Sequence, residues 1–160
     1  MTTATGVARP RQFLAHLRVR FNEVDQLGHV NNAAYLTYLE QAAIDHAAAC
    51  GFDMERMREL GGHFIARRHE IDFLAPAHEG DVLRVRTWIA EHHGARAFRV
   101  YDLRRVGSGR GAEVPPDAFT DGDPGDGDPI VGGRTEWVYV DAGGRPRRMP
   151  APLAAWFVGG

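Results

Sequence analysis

The sequence predicts an α+β domain in which one antiparallel sheet of five strands wraps around a single long helix. Residues 33–50 contain neither glycine nor proline and are dominated by strong helix formers, which favours an uninterrupted helix. One strand-like stretch precedes this helix and four follow it. One sheet folded around one helix satisfies this order with the fewest assumptions.

The first strand and the start of the helix are marked by a change of pattern. Residues 13–21 alternate apolar and polar side chains, as a half-buried strand does. Residues 22–31 are rich in turn-forming types, and Asn31 or Asn32 can cap the helix that follows. Gly51 suits the position just past the helix end. Because only a narrow polar stripe interrupts its apolar surface, we expect the helix to be mostly enclosed.

The later strands are expected at 63–75, 81–92, 95–106 and 130–140, after a short helical turn at 54–60. The breaks between the first three of them are short and polar, so neighbouring strands should pair antiparallel. The chain then ends in a short terminal helix or wrap.

Residues 107–129 are mostly glycine, proline and aspartate. We expect them to form a disordered surface loop within a single domain at 13–160, preceded by a flexible tail at 1–12. The aspartates invite a calcium site. Prolines interrupt them, however, and no glutamate follows before Glu136, so we favour a solvated excursion without metal.

Composition and charge exclude several classes of function. The 160 residues are 44% hydrophobic, which is enough for one core. A net charge of -2 leaves no basic excess for nucleic acid, and no stretch reaches the roughly 18 apolar residues of a membrane span. Cys50 is the sole cysteine and residues 1–12 do not resemble a signal peptide, so we expect a cytoplasmic protein.

Candidate chemistry is concentrated where the first strand passes to the helix. The first N–H groups of a helix and its dipole favour a developing anion. Asp25 comes shortly before these donors, and a carboxylate beside them suits attack on a carbonyl, as nucleophile or general base. His29 titrates near neutral pH and can hold a water or donate to a substrate. The alternative is that Asp25 and His29 only bond the backbone of a tight loop.

The stretch FNEVDQLGHVNNAAYLTYLEQA, at 21–42, resembles the signature of the 4-hydroxybenzoyl-CoA thioesterase-like branch of the hot-dog superfamily. That signature has an acidic residue, a short loop, G-H-V-N-N and then Y-x-x-Y-x-E. Stretches at 67–89 and 133–150 resemble its later strands. The resemblance implies a hot-dog fold with a five-stranded antiparallel sheet around a long central helix. It also implies homodimers with a continuous sheet, often paired into homotetramers, and an active site between subunits.

The resemblance also implies roles for single residues. Asp25 falls on the acidic position that attacks the thioester or activates water. His29 matches the histidine of related acyl-carrier-protein thioesterases, but Leu27 stands where their motif has asparagine, which argues against their full Asp-Asn-His apparatus. Glu23, the second acid of the loop, is expected to be exposed. The expected oxyanion and substrate contacts along the loop and helix start are Gly28, Val30, Asn31, Asn32 and Ala33.

The helix contributes three further candidates. Tyr35 and Tyr38 lie at helical spacing, which is more typical of core residues, although Tyr35 is kept as a candidate substrate contact. Glu40 should have a partner on a mostly enclosed helix, and it is suited to orienting the catalytic loop. Because another hot-dog branch takes its catalytic acid from this helix, Glu40 is also the second candidate for that role.

The second strand carries the candidates for binding coenzyme A. In the family the pantetheine arm of the substrate passes along the second strand of the partner subunit. Arginine side chains suit the nucleotide phosphates of coenzyme A, because they can donate two parallel hydrogen bonds. The neighbouring His69 shares this candidate role. Arg84 and Arg86 share one face of a strand and are expected to be solvated. The tunnel candidates are Ile65, Ala66, Arg67 and Arg68.

The sequence therefore predicts a thioester hydrolase that acts on acyl-CoA or acyl carrier protein. No metal or cofactor is expected, since coenzyme A enters as part of the substrate. The chain lacks a G-x-S-x-G elbow, a phosphate-cradling glycine loop and paired Cys/His metal spacing. Two alternatives stay open. One is a hot-dog hydratase of enoyl thioesters, whose Asn-Pro pair this loop lacks, and the other is a non-catalytic acyl-thioester-binding module.

Overall fold

The computed structural model describes residues 12–157, so residues 1–11, nearly all of the predicted tail, and 158–160 lie outside it. The predicted arrangement, an antiparallel sheet with one long helix packed on it, is confirmed. Within this part of the chain no helix is long and apolar enough to cross a bilayer. A 3-10 turn at Phe21–Glu23 precedes the long helix. The elements are β1 (Gln12–Arg18), α1 (Asn32–Ala49), α2 (Met54–Glu59), β2 (Gly62–Phe73), β3 (Val82–His93), β4 (Arg96–Gly107), β5 (Ala118–Thr120), β6 (Asp128–Asp141) and α3 (Ala151–Phe157).

The strands form one sheet in the order β2-β6-β4-β3-β1-β5, and all neighbours are antiparallel. The sheet has six strands instead of the predicted five, because Ala118–Thr120 pairs with the edge of β1. These residues form a short apolar, strand-favouring triplet among glycines, prolines and aspartates. Phe119 also packs edge-on against Phe13, with ring centroids 5.4 Å apart. Part of the 107–129 segment is therefore attached to the sheet.

Helix α1 begins at the predicted cap. Asn31 Oδ1 accepts a hydrogen bond from Ala33 N–H at 2.8 Å. Gly51 follows the helix with a φ of 86°, a left-handed conformation that glycine adopts without strain. The helix is less enclosed than the sequence predicts, since Ile44 is 59% exposed. The helix residues that are buried against the sheet and the terminal elements are Tyr35, Tyr38, Leu39, Ala42, Ala43 and His46.

The helix lies close to the centre of the sheet. A side-chain carbon at Gly133 of β6 would lie only 3.1 Å from Leu39 Cδ1. A larger residue there would push the helix outward, because packed interiors have little free space. Glycine at this position thus sets how closely α1 approaches the sheet at Leu39.

Strand β2 forms one edge of the sheet. It pairs with β6 on one side only, so its other side is open among the described residues. Ile65 and Phe73 on this strand and Leu74 just after it are exposed apolar residues. A 12-residue edge strand of this kind is a template for pairing with another strand.

Candidate active site

The loop between β1 and α1 is closed on itself by main-chain hydrogen bonds. Asp25 N–H donates to the His29 carbonyl at 2.8 Å, and Gly28 N–H donates to the Asp25 carbonyl at 3.0 Å. Gly28 has a φ of 76°, a conformation that would strain any other residue. Val24 and Val30 close the base of the loop through an antiparallel bridge. The loop therefore fixes the main chain of Asp25 just before α1.

The same loop orients the Asp25 carboxylate. Its Oδ1 accepts hydrogen bonds from Leu27 N–H at 2.8 Å and from His29 N–H at 3.3 Å. The residue is exposed, and its Oδ2 makes no hydrogen bond to any residue that the structure describes. The backbone bonds that the sequence left as an alternative are thus present. They engage one oxygen and leave the other available for chemistry.

The main-chain donors expected at the helix start are mostly engaged. Val30, Asn31 and Ala33 N–H groups each donate to an oxygen of this chain at 2.8 Å. Of these predicted donors, Asn32 N–H alone has no hydrogen-bond partner within residues 12–157, and Asn32 is exposed. The candidates for polarising a carbonyl therefore narrow to Asn32 at the first position of α1.

His29 contacts Asp25 through its main chain and His78 through its side chain. The two imidazole rings lie edge to face with centroids 5.2 Å apart. His78 Nδ1 in turn lies 3.8 Å from Asp81 Oδ2. Sequence reasoning missed His78, because no local pattern connects the loop after β2 with the loop after β1.

Two tyrosines of α1 hold the surrounding loops. Tyr38 Oη donates to Glu23 Oε2 at 2.7 Å, and the same oxygen accepts from Arg20 N–H at 2.8 Å. Glu23 is therefore half-buried and not the exposed acid that the sequence predicts. Tyr35 is buried, and its hydroxyl oxygen accepts from Ala77 N–H at 3.1 Å. Burial raises the pKa of both tyrosines, and the Glu23 carboxylate raises that of Tyr38 further. The expectation that both belong to the core is confirmed.

Glu40 has a partner, although this partner lies on β2 and not in the loop. Glu40 Oε1 is 3.8 Å from His69 Nε2, and His69 Nδ1 is hydrogen-bonded to the hydroxyl of buried Thr135 at 2.8 Å. His69 faces the helix because a bulge between Ala66 and Arg68 reverses the alternation of β2. This bulge could not be predicted from the sequence.

The tunnel candidates all lie on the open edge strand. Arg68 pairs with Glu70 at 2.7 Å, and Arg67 Nη1 lies 4.0 Å from Glu136 Oε1. Neither arginine is buried by these contacts, so both can reach a phosphate. The four exposed candidates are Ile65, Ala66, Arg67 and Arg68.

The expectation that Arg84 is solvated is wrong. Arg84 is buried on the outer face of the sheet, where its Nη1 lies 2.5 Å from Asp126 Oδ1. Arg86 is half-buried, and its Nη2 lies 3.4 Å from Asp123 Oδ2. The hydrogen bond from Arg84 lowers the pKa of Asp126. The aspartates of the 107–129 segment thus neutralise arginines of the sheet. Among the described residues no three His, Cys, Asp or Glu side chains are grouped to hold a metal.

An apolar pocket of about 510 Å³ lies at the other end of α1. It starts at Ala43, about 18 Å along the helix from Asn31, since each helical residue rises 1.5 Å. Arg99 of β4 forms part of its wall. The candidate acid and the pocket thus occupy opposite ends of α1 within one chain. The main apolar walls are formed by Ala47, Phe52, Met57, Phe64, Trp137 and Trp156.

A family model described as the thioesterase-like superfamily matches residues 19–157, which include both the Asp25 loop and the pocket. This chain belongs to that superfamily. A chloroplastic acyl-acyl carrier protein thioesterase of Arabidopsis thaliana is 28% identical over 141 residues, or 88% of this chain and 65% of the relative. The chain spans about two thirds of the length of this relative and of a second Arabidopsis relative.

Solved structures of other proteins have the same fold as this chain. A 1,4-dihydroxy-2-naphthoyl-CoA thioesterase from Synechocystis matches with a TM-score of 0.74 at 17% identity, covering 92% of this chain and 96% of that one. A Staphylococcus aureus protein in complex with CoA matches with a TM-score of 0.73 at 14% identity, covering 91% and 80%. At these identities the likeness establishes the fold.

In this member of the thioesterase-like superfamily, sequence reasoning found the Asp25 loop but missed two buried polar residues near the pocket. Arg99 and His46 are both buried and in contact, with Arg99 Nη1 2.8 Å from His46 Nδ1. The only local signal was the alternation from Ala97 to Leu103, which puts Arg99 on the same face as two large core residues. That signal is faint, because the opposite face also carries apolar side chains.

Proposed function

We propose that this chain hydrolyses acyl thioesters of coenzyme A or acyl carrier protein, releasing a free acid and a thiol. The observation that carries the proposal is the Asp25 carboxylate, which two N–H groups hold by one oxygen in the loop that leads into α1. A fixed carboxylate with its second oxygen unengaged can act as nucleophile or general base. Membership of the thioesterase-like superfamily supports this reaction class.

The reaction needs an attacking oxygen and stabilisation of the charge that develops on the carbonyl oxygen. In the proposal the thioester carbonyl lies against Asn32 N–H and the positive end of the α1 dipole. Asp25 either attacks the carbonyl carbon, forming an anhydride that water hydrolyses, or takes a proton from a water that attacks directly. In both routes the C–S bond breaks, the leaving thiolate takes up a proton, and the Asp25 carboxylate is regenerated.

The proposed enzyme is a homodimer joined along β2. Within one chain, Tyr35 near the start of α1 contacts Phe73 at the end of β2, with ring centroids 5.8 Å apart. Ala47 near the end of α1 instead shares the pocket with Phe64 near the start of β2. Antiparallel pairing of two β2 edges would therefore bring the helix start of one copy towards the pocket of the other. The exposed Ile44 lies on the pocket side of α1 and gains cover in such a dimer.

In this dimer the substrate spans the subunit boundary. The thioester lies at Asp25 of one copy, and the acyl group enters the apolar pocket of the other. The carrier arm passes the exposed stretch of β2 where Arg67 and Arg68 suit the phosphates of coenzyme A. The similarity to the Arabidopsis acyl-acyl carrier protein thioesterase supports acyl carrier protein as carrier, while the Synechocystis and Staphylococcus proteins support coenzyme A. The single cysteine suits a reducing compartment, so we propose the cytoplasm.

Asp25→Asn tests the proposal directly. Asparagine keeps an oxygen that accepts from Leu27 and His29 N–H groups, so the loop is preserved while the basic carboxylate is lost. We expect thiol release from a panel of acyl-CoAs and acyl carrier proteins to fall about a hundredfold or more. Asp121→Asn, at an exposed position in the 107–129 segment, should keep the wild-type rate. Full activity of Asp25→Asn would rule out this mechanism.

The same panel separates the alternative functions. A hydratase would consume the absorbance of an enoyl thioester without releasing thiol. A binding module would retain acyl-CoA in equilibrium dialysis with no turnover. Thiol release that depends on Asp25 contradicts both.

A further inference from the structure

Arg99 occupies a position that the strand pattern gives to apolar residues. The side chains of β4 that face α1 and the pocket belong to Ala97, Arg99, Tyr101 and Leu103, and all four residues are buried. Only 4% of the surface of Arg99 is exposed. A guanidinium removed from water destabilises the fold unless an anion accompanies it.

The neighbours of Arg99 do not neutralise its charge. Arg99 Nη1 donates to His46 Nδ1 at 2.8 Å and to Thr87 Oγ1 at 3.2 Å. A guanidinium can only donate, so the His46 proton is on Nε2 and the ring is neutral. Burial lowers the pKa of Arg99, and the groups that oppose this effect are Tyr101 and Cys50, neither of them a carboxylate. Within residues 12–157 Arg99 forms no ion pair with an acid.

Arg99 is one of the residues that line the pocket, so a ligand there can approach this residue. Besides Arg99, the only ionisable side chains among residues 12–157 that line it are Asp53 and His63, and both of these are exposed. Asp53 caps α2 through its Oδ1, which accepts from Arg56 N–H, and its carboxylate is exposed, unlike the guanidinium of Arg99. A chain that enters the pocket therefore meets hydrocarbon walls with one buried cation among them.

We propose that the pocket binds acyl groups that carry a carboxylate at the end remote from the thioester, and that this carboxylate pairs with Arg99. The inference rests on the proposed function and narrows its substrates to thioesters of dicarboxylic acids. Guanidinium and carboxylate match through two parallel hydrogen bonds, and their charges cancel. A methyl-ended acyl group would leave the guanidinium against hydrocarbon, which disfavours that substrate.

Matched substrate pairs test the inference. Suberoyl-CoA and octanoyl-CoA have the same chain length and differ in the terminal carboxylate, and adipoyl-CoA and hexanoyl-CoA form a second pair. We expect wild-type kcat/KM to favour the carboxylate-ended member by about tenfold or more. In Arg99→Met this ratio should fall by a similar factor, with octanoyl turnover raised because the new side chain is apolar.

Arg96→Met is the matched control. Arg96 lies on the same strand but is partly exposed and paired with Glu136 at 2.5 Å, away from the pocket. In Arg96→Met the ratio of kcat/KM between the two members of each substrate pair should equal that of the wild type. If Arg99→Met does not fold, Arg99→Lys takes its place. Lysine keeps the charge but lacks the forked donors, so the preference should drop several-fold, and an unchanged preference would count against the pairing.

Binding without turnover provides an independent readout. Trp137 and Trp156 line the pocket, so a ligand that enters it should change tryptophan fluorescence. Titration with suberate should change the signal of the wild-type protein at lower concentration than octanamide does, because octanamide has the same chain length and no carboxylate. The order should reverse in Arg99→Met.

The two readouts separate the inference from the function on which it rests. If the wild type hydrolyses both members of each pair equally well, the inference is overturned and the thioesterase stands. If no thioester is hydrolysed but suberate binding depends on Arg99, the proposed function fails and the ligand class of the pocket is upheld. Equal binding of suberate and octanamide that Arg99→Met leaves unchanged overturns the inference in either case.

Discussion

The two ends of α1 satisfy their polar groups in opposite ways. At the start, the Asp25 carboxylate is exposed, and the main-chain groups around it are bonded within the loop. At the end, Arg99 is buried beside an apolar pocket and has no acid to pair with in the described chain. The unengaged groups at the start, Asp25 Oδ2 and Asn32 N–H, belong to exposed residues, whereas the guanidinium at the end is buried.

In the proposed enzyme, this difference separates catalysis at one end of the helix from acyl binding at the other. Asn31 and Ala43 are about 18 Å apart along the helix axis, too far for one carboxylate to serve a thioester held in the pocket of the same chain. A two-fold dimer along β2 would bring opposite ends together. The open β2 edge and the exposed Ile44 are the features of the monomer that agree with such a dimer.

Separating the two copies should have the largest effect on this arrangement. Ile65 is 44% exposed on β2, and Ile65→Asp places a charge in the proposed dimer contact. We expect sedimentation velocity to show monomers and thiol release to fall about a hundredfold, since each site then lacks its pocket. Val114→Asp, at an exposed apolar position in the 107–129 segment, should leave both unchanged. A fully active monomeric Ile65→Asp would place the whole site within one chain.

The buried end of the helix should make stability depend on pH. Burial, and then Arg99, lower the pKa of His46 to about 3, so the folded state favours the neutral ring. This contribution is complete above the usual histidine pKa of 6.5 and is lost as the pH falls from there towards 3. The expected loss is roughly 1.4 kcal/mol per pH unit, or about 2 kcal/mol at pH 5. Urea unfolding of wild type and His46→Gln at pH 7 and pH 5 measures it.

His46→Gln should show a flatter pH dependence, because glutamine can accept from Arg99 but does not titrate. Burial also lowers the pKa of His16, which acts in the same direction in both proteins and cancels in the comparison. His93→Gln, at an exposed position, should keep the wild-type dependence. Parallel curves for wild type and His46→Gln would show that His46 is not the titrating group.

At the start of α1, loss of a single hydrogen bond should lower the free energy of unfolding only slightly. Tyr38→Phe removes the hydrogen bond to Glu23, but Glu23 Oε2 still accepts from Arg20 N–H. We expect a loss of about 1 kcal/mol in the free energy of unfolding, with kcat/KM reduced only a few-fold. An unchanged unfolding midpoint would show that this bond contributes nothing to the loop.

Much of the structure at the start of α1 could be predicted from the sequence, because helix caps and turns depend on residues that are close together in the chain. The cap at Asn31 and the glycine turn at Gly28 follow from short stretches of residue types. The exact donors did not follow. Val30 N–H donates to Ala77 in the loop after β2, Asn31 N–H donates back to Glu23, and only the folded chain shows that Asn32 N–H has no such partner among the described residues.

The positions of some sheet residues could not be predicted from local sequence patterns. The sequence predicts a solvated surface position for Arg84, but in the structure Asp126 of the 107–129 segment pairs with it and the residue is buried. The direction of His69 depends on a bulge that has no clear sequence signal. Both outcomes depend on contacts between residues far apart in the chain.

By itself the sequence determined the long helix, the order of the main strands and the loop that carries Asp25, because hydrophobic period, capping and turn chemistry act over a few residues. Only the tertiary structure decided that Ala118–Thr120 joins the sheet and that Arg99 is buried beside a pocket. Strand register and helix depth fix these positions, and both are set by packing between distant segments.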